Sequence, residues 1–298
     1  MSRIPPTHTP CTPGDGSPSP PVSVVILTLN EEPNIRACLD SCAWCDDVHV
    51  LDSGSTDRTQ HLARELGAAV HVNPFESFGK QRNWALDHIP LKHEWVFHLD
   101  ADERFTPQLL REIDETLRAA PGLSGYYVPN KLMFMGRWLR RAGGYPTYQM
   151  RLFHKARMRF VDYGHGQREE PGRPIGTLHQ PYIHYSFSKG LADWIDKHNR
   201  YSTLEAREIV RILCEPQSDA EPPRLLGSAV QRRRWLKQRL YPRLPARWLL
   251  RFCWLYILKL GFLDGRAGLR FCQLYAAYEL LIGLKVIEVQ HRAKGGTT

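Results

Sequence analysis

Length, composition and charge limit the class of protein before any motif is considered. The 298-residue chain is 42% hydrophobic, enough for one large core or for one domain with an appendage. Its net charge of +9 favours an acidic partner, and nucleic acid, phospholipid and nucleotide all fit that description. Seven cysteines without a secretion signal argue for a reducing compartment with free thiols, and against an oxidising one.

The N-terminal stretch is rich in Pro, Ser, Thr and Gly and lacks the apolar core of a signal peptide. We therefore predict that residues 1–21 are a disordered lead-in. From residue 22 onward, apolar runs typical of buried strands alternate with helical patterns. Strands are predicted at 22–29, 47–51, 69–72 and 94–100, and helices at 34–45, 57–67 and 80–88, with another starting at Thr106-Pro107.

This alternation indicates an α/β fold, in which a mostly parallel sheet is covered by helices on both faces. Such sheets bind ligands beyond the carboxyl ends of their strands. Here those ends carry Asn30 with Glu31, then Asp52 with Asp57, then an acidic stretch. The sequence therefore predicts one polar crevice of nucleotide size. No Gly-x-Gly-x-x-Gly follows the first strand and no Walker loop occurs, which argues against a dinucleotide or P-loop site.

The acidic stretch follows the strand that begins at Trp95. In an extended chain Asp100 and Asp102 point the same way, with Ala101 between them. Neighbouring carboxylates repel each other unless a cation lies near them, and oxygen ligands of this kind suit Mg²⁺ or Mn²⁺. The alternative is a solvated acidic turn before the next helix.

The second half of the chain has a different character. Short aromatic β-like segments rich in charged residues extend over 125–185 and predict a second wall of the site. A long helix is predicted at 188–214, followed by a Pro-rich break. Nine basic residues and no acidic one then lie between Arg224 and Arg251.

The C-terminal region, from Leu244 to Val289, contains two apolar segments joined by Gly-Phe-Leu-Asp-Gly at 261–265. Charges interrupt both segments, so neither is a convincing membrane span. We expect a basic amphipathic pair of helices that lies in the interface of an anionic membrane. A helical cap packed on the sheet is the alternative.

Four motifs in order carry a family resemblance: Val-Ile-Leu-Thr-Leu-Asn-Glu, Asp-Ser-Gly-Ser-Thr-Asp, Gly-Lys-Gln-Arg-Asn and Asp-Ala-Asp. Together they resemble the family 2 glycosyltransferases of GT-A fold. More narrowly, they resemble the bacterial branch related to lipopolysaccharide-core and polysaccharide glucosyltransferases. The resemblance covers residues 22 to about 190, and the Gly-Phe-Leu-Asp-Gly tail is similar to members of the same branch.

The resemblance implies a GT-A catalytic domain at residues 22–214, with a nucleotide-binding half at 22–120 and an acceptor-side half at 121–190. Residues 215–298 would form a basic, amphipathic helical region that associates with membrane. The implied activity is that of a metal-dependent inverting hexosyltransferase. It would move a sugar from a nucleotide donor, UDP-linked, to a lipid-anchored glycan or glycolipid. We expect it in the cytoplasm, peripheral on the inner face of the cell membrane, with no nucleic-acid partner.

On the donor side, the resemblance places Thr28, Asn30 and Glu31 around the base and ribose. Asp52 would hydrogen-bond the base. The remaining donor-binding candidates are Ser55, Asp57 and Ala101.

The diphosphate end of the donor is assigned in the same way. The resemblance implies that Lys80, Arg82 and Asn83 lie near the diphosphate and sugar. Asp100 would hold the ribose side, and Asp102 would bind the metal, Mg²⁺ or Mn²⁺, that bridges the phosphates. Such an ion stabilises the charge that builds on the leaving diphosphate.

The general base departs from the family pattern, which has a Glu-Asp or His-Glu pair in the second half of the fold. Our first choice is Glu169, followed by His165 and then Asp162. Arg168 beside Glu169 would favour the ionised carboxylate. A loop salt bridge without a catalytic part is the alternative.

Two other functions compete with the transferase. A nucleotidyltransferase of similar fold also uses paired acids and a metal, but it usually has a Gly-rich, basic loop after the first strand. A non-catalytic protein that binds membrane or nucleic acid would explain the basic tail. That second hypothesis leaves the acidic crevice without a purpose.

Overall fold

The structure is a computed structural model that describes residues 19–119, 122–163, 166–214 and 246–293. The predicted lead-in up to residue 18, and the Pro-rich and basic stretch at 215–245, lie outside the described residues. The described chain divides into two compact units. The first contains the described residues up to Trp138 with Tyr145–Ser188, and the second contains Leu139–Gly144 and those from Lys189 onward. The long helix predicted within the catalytic domain thus groups with the second unit.

The described part of the first unit is built on one large mixed sheet. Its main path runs β3 (Ala69–Val72), β2 (Val48–Asp52), β1 (Val22–Thr28), β4 (Trp95–Asp100), β8 (Thr147–His154), β6 (Gly125–Phe134), β12 (Tyr182–His184) and β5 (Glu103–Arg104). Two short strands, β7 (Arg137–Trp138) and β11 (Ile175–Thr177), also pair with β6. A separate hairpin is formed by β9 (Phe160–Tyr163) and β10 (Gly166–Glu169).

The pairing confirms the predicted α/β class and adds an antiparallel part. Strands β3, β2, β1 and β4 are parallel to one another. Strand β8 then runs antiparallel to both β4 and β6, and β12 runs parallel to β6 and antiparallel to β5. The aromatic segments of the second half are therefore continuations of the same sheet.

Strand β1 shows why the sheet is covered on both faces. Val24 and Ile26 pack in the same cluster as Ile35 and other helix residues, whereas Val25 packs with Ala85 in a different cluster. All of these side chains are buried. Because successive side chains of a strand point to opposite faces, each face has its own helix-covered core.

Four helices flank this sheet, and the start of the last one confirms its sequence signature. Thr106 Oγ1 accepts the Leu109 N–H at 3.2 Å, and Pro107 occupies the first helical position. The third helix starts two residues before the predicted Lys80, because Ser77 provides its cap. The helices are α1 (Glu32–Ser41), α2 (Thr59–Glu65), α3 (Phe78–His88) and α4 (Pro107–Arg118).

The described part of the second unit is helical. Helix α7 packs against both α5 and α6, with Ala206, Ile282 and Val286 in the core. Among the described residues, no helix has both the length and the apolarity that crossing a membrane requires. The elements are α5 (Gly190–Cys214), α6 (Arg247–Cys253), a π-helical turn (Trp254–Leu258), a 3₁₀ turn (Gly261–Asp264) and α7 (Gly265–Ala293).

The junction before α7 is tightly built. The Asp264 carboxylate accepts the backbone N–H groups of Arg141 and Ala142 at 2.9 and 2.8 Å. A Cβ atom on Gly268 would lie 2.2 Å from the carbonyl oxygen of Gly261. Only glycine fits there, so the start of α7 and the preceding turn are fixed against each other.

Candidate active site

The carboxyl ends of β1, β2 and β4 meet at one edge of the sheet, as the sequence predicted. In the strand register Thr28 lies opposite Asp52, and Leu27 lies opposite Asp100. The Ala101 N–H donates to the Leu27 carbonyl at 3.3 Å, so the acidic stretch starts directly beside β1. Ala101 itself is buried, and its carbonyl accepts Arg104 Nη1 at 2.7 Å.

At the end of β2, Asp52 is fully buried and surrounded by donors. It accepts the Thr28 and Ser55 hydroxyls at 2.8 and 2.5 Å, and the Gln60 amide at 2.7 Å. It also accepts the backbone N–H groups of Gly54 and Ser55. Burial raises the pKa of Asp52, but these hydrogen bonds outweigh it and hold the pKa below its ordinary value. A nucleotide base could reach this carboxylate only by displacing one of these donors.

The loops after β1 and β2 interlock through the other predicted donor residues. Asn30 has a positive φ of 53°, a conformation that asparagine tolerates, and its Oδ1 accepts the Thr56 N–H. The Asn30 N–H donates to Ser55 Oγ at 2.8 Å. Asp57 accepts the N–H groups of Glu32 and Thr59 at 3.1 and 2.9 Å. The Glu31 carboxylate accepts the Asn34 amide. These side chains therefore shape the pocket edge, and most of their polar atoms are already used.

Asp100, at the end of β4, lies in front of two buried arginines. Arg151 donates to both of its carboxylate oxygens, at 2.6 and 3.3 Å, and Arg82 Nη2 lies 3.8 Å away. The Asp100 side chain is 39% exposed, whereas Arg151 and Arg82 are 1% and 5% exposed. Burial opposes ionisation, but the two guanidinium charges hold the pKa of Asp100 well below its usual range. A solvated acidic turn is therefore the wrong interpretation of this stretch.

Glu103, which follows Asp102 in the acidic stretch, belongs to the same cluster. It lies in β5 and is completely buried. Its carboxylate accepts Arg151 Nη2 at 2.5 Å and the Asp100 N–H at 3.0 Å. Burial raises the pKa of Glu103 to about 7, although Arg151 opposes this shift. The single positive charge of Arg151 is thus shared by the Asp100 and Glu103 carboxylates.

Asp102 lies next to His184, a histidine of strand β12. His184 Nε2 lies 3.3 Å from Asp102 Oδ2, with both side chains a fifth to a quarter exposed. The pairing of β12 with β5 sets His184 opposite Glu103, and the Tyr185 N–H donates to the Asp102 carbonyl. Burial lowers the pKa of His184, but the charges of Asp102, Glu103 and Asp100 raise it to about 9. This geometry makes His184 a candidate metal ligand beside Asp102.

The group formed by Asp102, Glu103 and His184 fits a divalent cation. One ligand atom from each residue lies within 4.8 Å of the others. Asp102 would be an oxygen ligand and His184 a nitrogen ligand, while Glu103 is held by Arg151 behind them. An imidazole beside a carboxylate suits Mn²⁺ better than Mg²⁺, which prefers oxygen ligands and water.

The predicted diphosphate residues on α3 point in three directions. Lys80 is exposed and its Nζ pairs with Glu76 at 2.6 Å. Arg82 is buried beside Asp100, and burial lowers its pKa to about 10, so it stays charged at neutral pH. Asn83 donates to the Phe160 carbonyl at 2.8 Å and accepts the Phe160 N–H at 3.0 Å. The structure brings only Arg82 to the acidic cluster.

The base candidates lie around the β9–β10 hairpin. Asp162 accepts the Ser77 hydroxyl at 2.7 Å and the Gly79 N–H at 3.1 Å, so both of its oxygens tie β9 to the start of α3. Glu169 accepts a short hydrogen bond from the Tyr127 hydroxyl. Burial, together with Glu169, raises the pKa of Tyr127 to about 12. His165 lies outside the described residues.

The half of the chain that carries this site resembles known proteins. The family model described as glycosyl transferase family 2 matches residues 23–167, a range that includes the ends of β1, β2 and β4. Residues 23–167 therefore form a glycosyl transferase family 2 domain. This match decides against the nucleotidyltransferase and the non-catalytic hypotheses, and it confirms the predicted GT-A fold.

Relatives of this glycosyltransferase carry matching names. It is 27% identical over 200 residues to the lipopolysaccharide core biosynthesis glycosyltransferase LpsC of Rhizobium meliloti, covering 65% of this chain and 73% of LpsC. It is 29% identical over 203 residues to an uncharacterized glycosyltransferase of Rickettsia bellii, covering 64% and 68%. Glucosyl-3-phosphoglycerate synthase from Mycobacterium tuberculosis is similar over 67% of this chain and 82% of that one, at 20% identity. Its TM-score of 0.44 is too low to inform the site.

Arg151 is a site residue whose role the sequence did not single out. It interrupts the apolar run Met150-Arg151-Leu152-Phe153, and it was one of many charges assigned to the second wall. A lone arginine inside a buried strand needs an acidic partner, because an unpaired buried charge is costly. That signal could have linked β8 to the acidic end of β4.

Proposed function

We propose that this glycosyltransferase moves a sugar from a UDP-linked nucleotide donor to a glycan or glycolipid acceptor. The transfer inverts the anomeric carbon and depends on a divalent metal, Mn²⁺ in preference to Mg²⁺. The observation that carries the proposal is the pairing of Asp102 with His184, beside an Asp100 that two arginines keep ionised. This group lies at the strand ends where α/β sheets bind ligands.

The need for a cation follows from the leaving group. Negative charge builds on the diphosphate oxygens as the bond to the sugar breaks, and a bound divalent ion would stabilise that charge. In this proposal Asp102 and His184 hold the ion. Arg151 and Arg82 fix the orientation of Asp100 from behind, so that its exposed oxygen can accept the ribose hydroxyls of the donor.

Transfer also requires a proton acceptor on the opposite side of the sugar. The acceptor oxygen attacks the anomeric carbon while the bond from that carbon to the diphosphate oxygen breaks, and the electron pair leaves with the diphosphate. The hydroxyl proton passes to a carboxylate, for which we propose Glu169. The Tyr127 hydroxyl orients this carboxylate by donating to it. Asp162 is the weaker candidate, because both of its oxygens anchor α3.

The acceptor class and the location are parts of the same proposal. A relative named for lipopolysaccharide core biosynthesis supports a lipid-anchored surface glycan. Free thiols support a cytoplasmic site of action, on the inner face of the cell membrane; they are Cys38, Cys42, Cys45, Cys253 and Cys272.

Binding calorimetry tests the donor and metal parts together. We expect UDP to bind in the presence of Mn²⁺ and to bind much more weakly in EDTA. GDP is titrated separately as the alternative nucleotide. Hydrolysis of a panel of nucleotide sugars with Mn²⁺ then identifies the sugar. A protein that binds neither UDP nor GDP with Mn²⁺, while its circular dichroism spectrum shows it folded, contradicts the proposal.

A further inference from the structure

One segment of the second unit exposes an unusual amount of apolar side chain. We define the 248–263 surface as the nine large apolar residues that are 39–67% exposed between these positions. Single exposed apolar residues are normal, but contiguous apolar patches on soluble proteins mark interaction sites. The nine residues are Trp248, Leu249, Leu250, Trp254, Ile257, Leu258, Leu260, Phe262 and Leu263.

The backbone beneath this surface is firmly held. Leu255, Gly261 and Asp264 alternate with the exposed residues and are buried. A Cβ atom on Gly261 would meet the Leu255 carbonyl oxygen at 2.6 Å, so the chain approaches itself closely at the turn. The apolar side chains are therefore presented outward by an ordered support.

The charged side chains on and next to the 248–263 surface are basic. Lys259 stands among the apolar residues, with its Nζ 5.7 Å from the Trp254 ring centre, and Arg251 lies half-buried beside them. Arg266 and Arg270 are exposed on the first turns of α7, four positions apart and so on one face of the helix. Asp264 is the only acidic residue from 247 to 278, and it is turned inward to the backbone of Arg141 and Ala142.

We infer that the 248–263 surface inserts into the headgroup region of an anionic lipid bilayer and holds this glycosyltransferase against the membrane. Apolar residues, two tryptophans and basic side chains without exposed acids are the combination that favours such an interface. The long Lys and Arg side chains can bury their stems and keep their charges at the phosphates. The inference is independent of the proposed donor and metal chemistry.

The 248–263 surface is smaller than the membrane-binding surface that the sequence predicted. A pair of amphipathic helices was predicted, but α7 uses much of its circumference to pack on α5 and α6. It keeps one exposed apolar stripe, Leu280, Leu284 and Ile287, which lies near Glu288, an acid paired with Arg292. This stripe provides a matched control.

Vesicle co-sedimentation of the full chain tests the inference, with phosphatidylcholine vesicles and with vesicles that also contain phosphatidylglycerol. We expect binding only to the anionic vesicles. Ile257→Ser with Leu258→Ser should weaken it by roughly tenfold or more, because the apolar area that enters the lipid is lost. Lys259→Gln with Arg266→Gln should weaken it by about fivefold for each charge removed.

The control is Leu284→Ser with Ile287→Ser, which removes side chains of similar exposure from α7. This control should leave vesicle binding unchanged, and all variants should keep the wild-type melting temperature. Equal loss of binding in both apolar pairs overturns the inference, as does wild-type protein that ignores anionic vesicles. A lipid-free dimer that the 257/258 variant converts to monomer also overturns it, since the surface would then join two copies of the chain.

Discussion

The ends of β2 and β4 carry carboxylates in opposite circumstances. Asp52 is completely buried and receives donors from uncharged groups on every side. Asp100 and Glu103 share Arg151, Asp100 also lies near Arg82, and the neighbouring Asp102 faces a histidine and solvent. We call Asp52 the closed group, because neighbouring donors occupy its oxygens. We call Asp100, Asp102 and Glu103 the open group, because part of this group faces solvent.

This difference separates a structural acid from a ligand-binding one. A carboxylate whose lone pairs are filled stabilises the loop that supplies the donors. In the second group, three acids face two arginines and His184, whose pKa the neighbouring carboxylates raise to about 9. His184 is therefore protonated at neutral pH, and a cation that binds beside Asp102 has to displace this proton.

The largest effect is expected from Arg151→Met, which removes the charge shared by Asp100 and Glu103. Leaving buried carboxylates without a partner should lower the free energy of unfolding by about 3–5 kcal/mol. Urea unfolding of the metal-free protein measures this change in the free energy of unfolding. Arg118→Met is the control, because the exposed Arg118–Asp114 pair should contribute under about 1 kcal/mol. A similar loss of unfolding free energy in both variants would show that Arg151 does not neutralise buried carboxylates.

Asp102→Asn comes next and tests the exposed side of the open group. The amide keeps the shape but loses the negative charge, so sugar transfer with Mn²⁺ should fall by about 100-fold to 1000-fold. Initial rates at saturating donor give the effect. Asp114→Asn on α4 is the matched control and should keep the wild-type rate. A fully active Asp102→Asn enzyme would show that the metal binds elsewhere.

Asp52→Asn tests the closed group. One of the N–H or hydroxyl donors would then face an amide donor, so the free energy of unfolding should fall by about 1–3 kcal/mol at neutral pH. The folded pKa of Asp52 lies below its ordinary value of 3.8, so its stabilisation is present above that pH and is lost as the pH falls further. The difference from wild type should therefore shrink below pH 3.8 in urea titrations. A difference that stays constant with pH would exclude this charge as the cause.

The smallest effect is expected from Lys80→Ala. Its solvent-exposed pair with Glu76 is screened by water, so the free energy of unfolding should stay at the wild-type value. Because Lys80 points away from the acidic cluster, the KM for the donor should stay at the wild-type value. A KM that rises tenfold would instead support the role near the diphosphate that the sequence implied.

The sequence predicted the parallel part of the sheet well, because its strands are short apolar runs that end at polar loops. The start of α4 was also predictable, since Thr106 and Pro107 are strong local signals. The side-chain directions on α3 were not predictable in the same way. The resemblance placed Lys80, Arg82 and Asn83 together near the diphosphate, although about 100° of rotation per residue sends them to different sides of a helix.

The contacts that complete the site join distant parts of the chain. His184 reaches Asp102 through the pairing of β12 with β5, and Arg151 reaches Asp100 and Glu103 from β8. These pairings depend on strand order and register, which no local pattern specifies. The sequence could therefore name the acids but could not identify the residues that neutralise or assist them.

Pulsed electron paramagnetic resonance of bound Mn²⁺ tests the central claim most directly. With UDP present, the wild-type protein should show a nitrogen coupling from the His184 imidazole, and His184→Gln should bind Mn²⁺ more weakly without this coupling. Mn²⁺ bound with UDP but lacking any nitrogen coupling in the wild type would contradict the account. A coupling that persists unchanged in His184→Gln would contradict it equally.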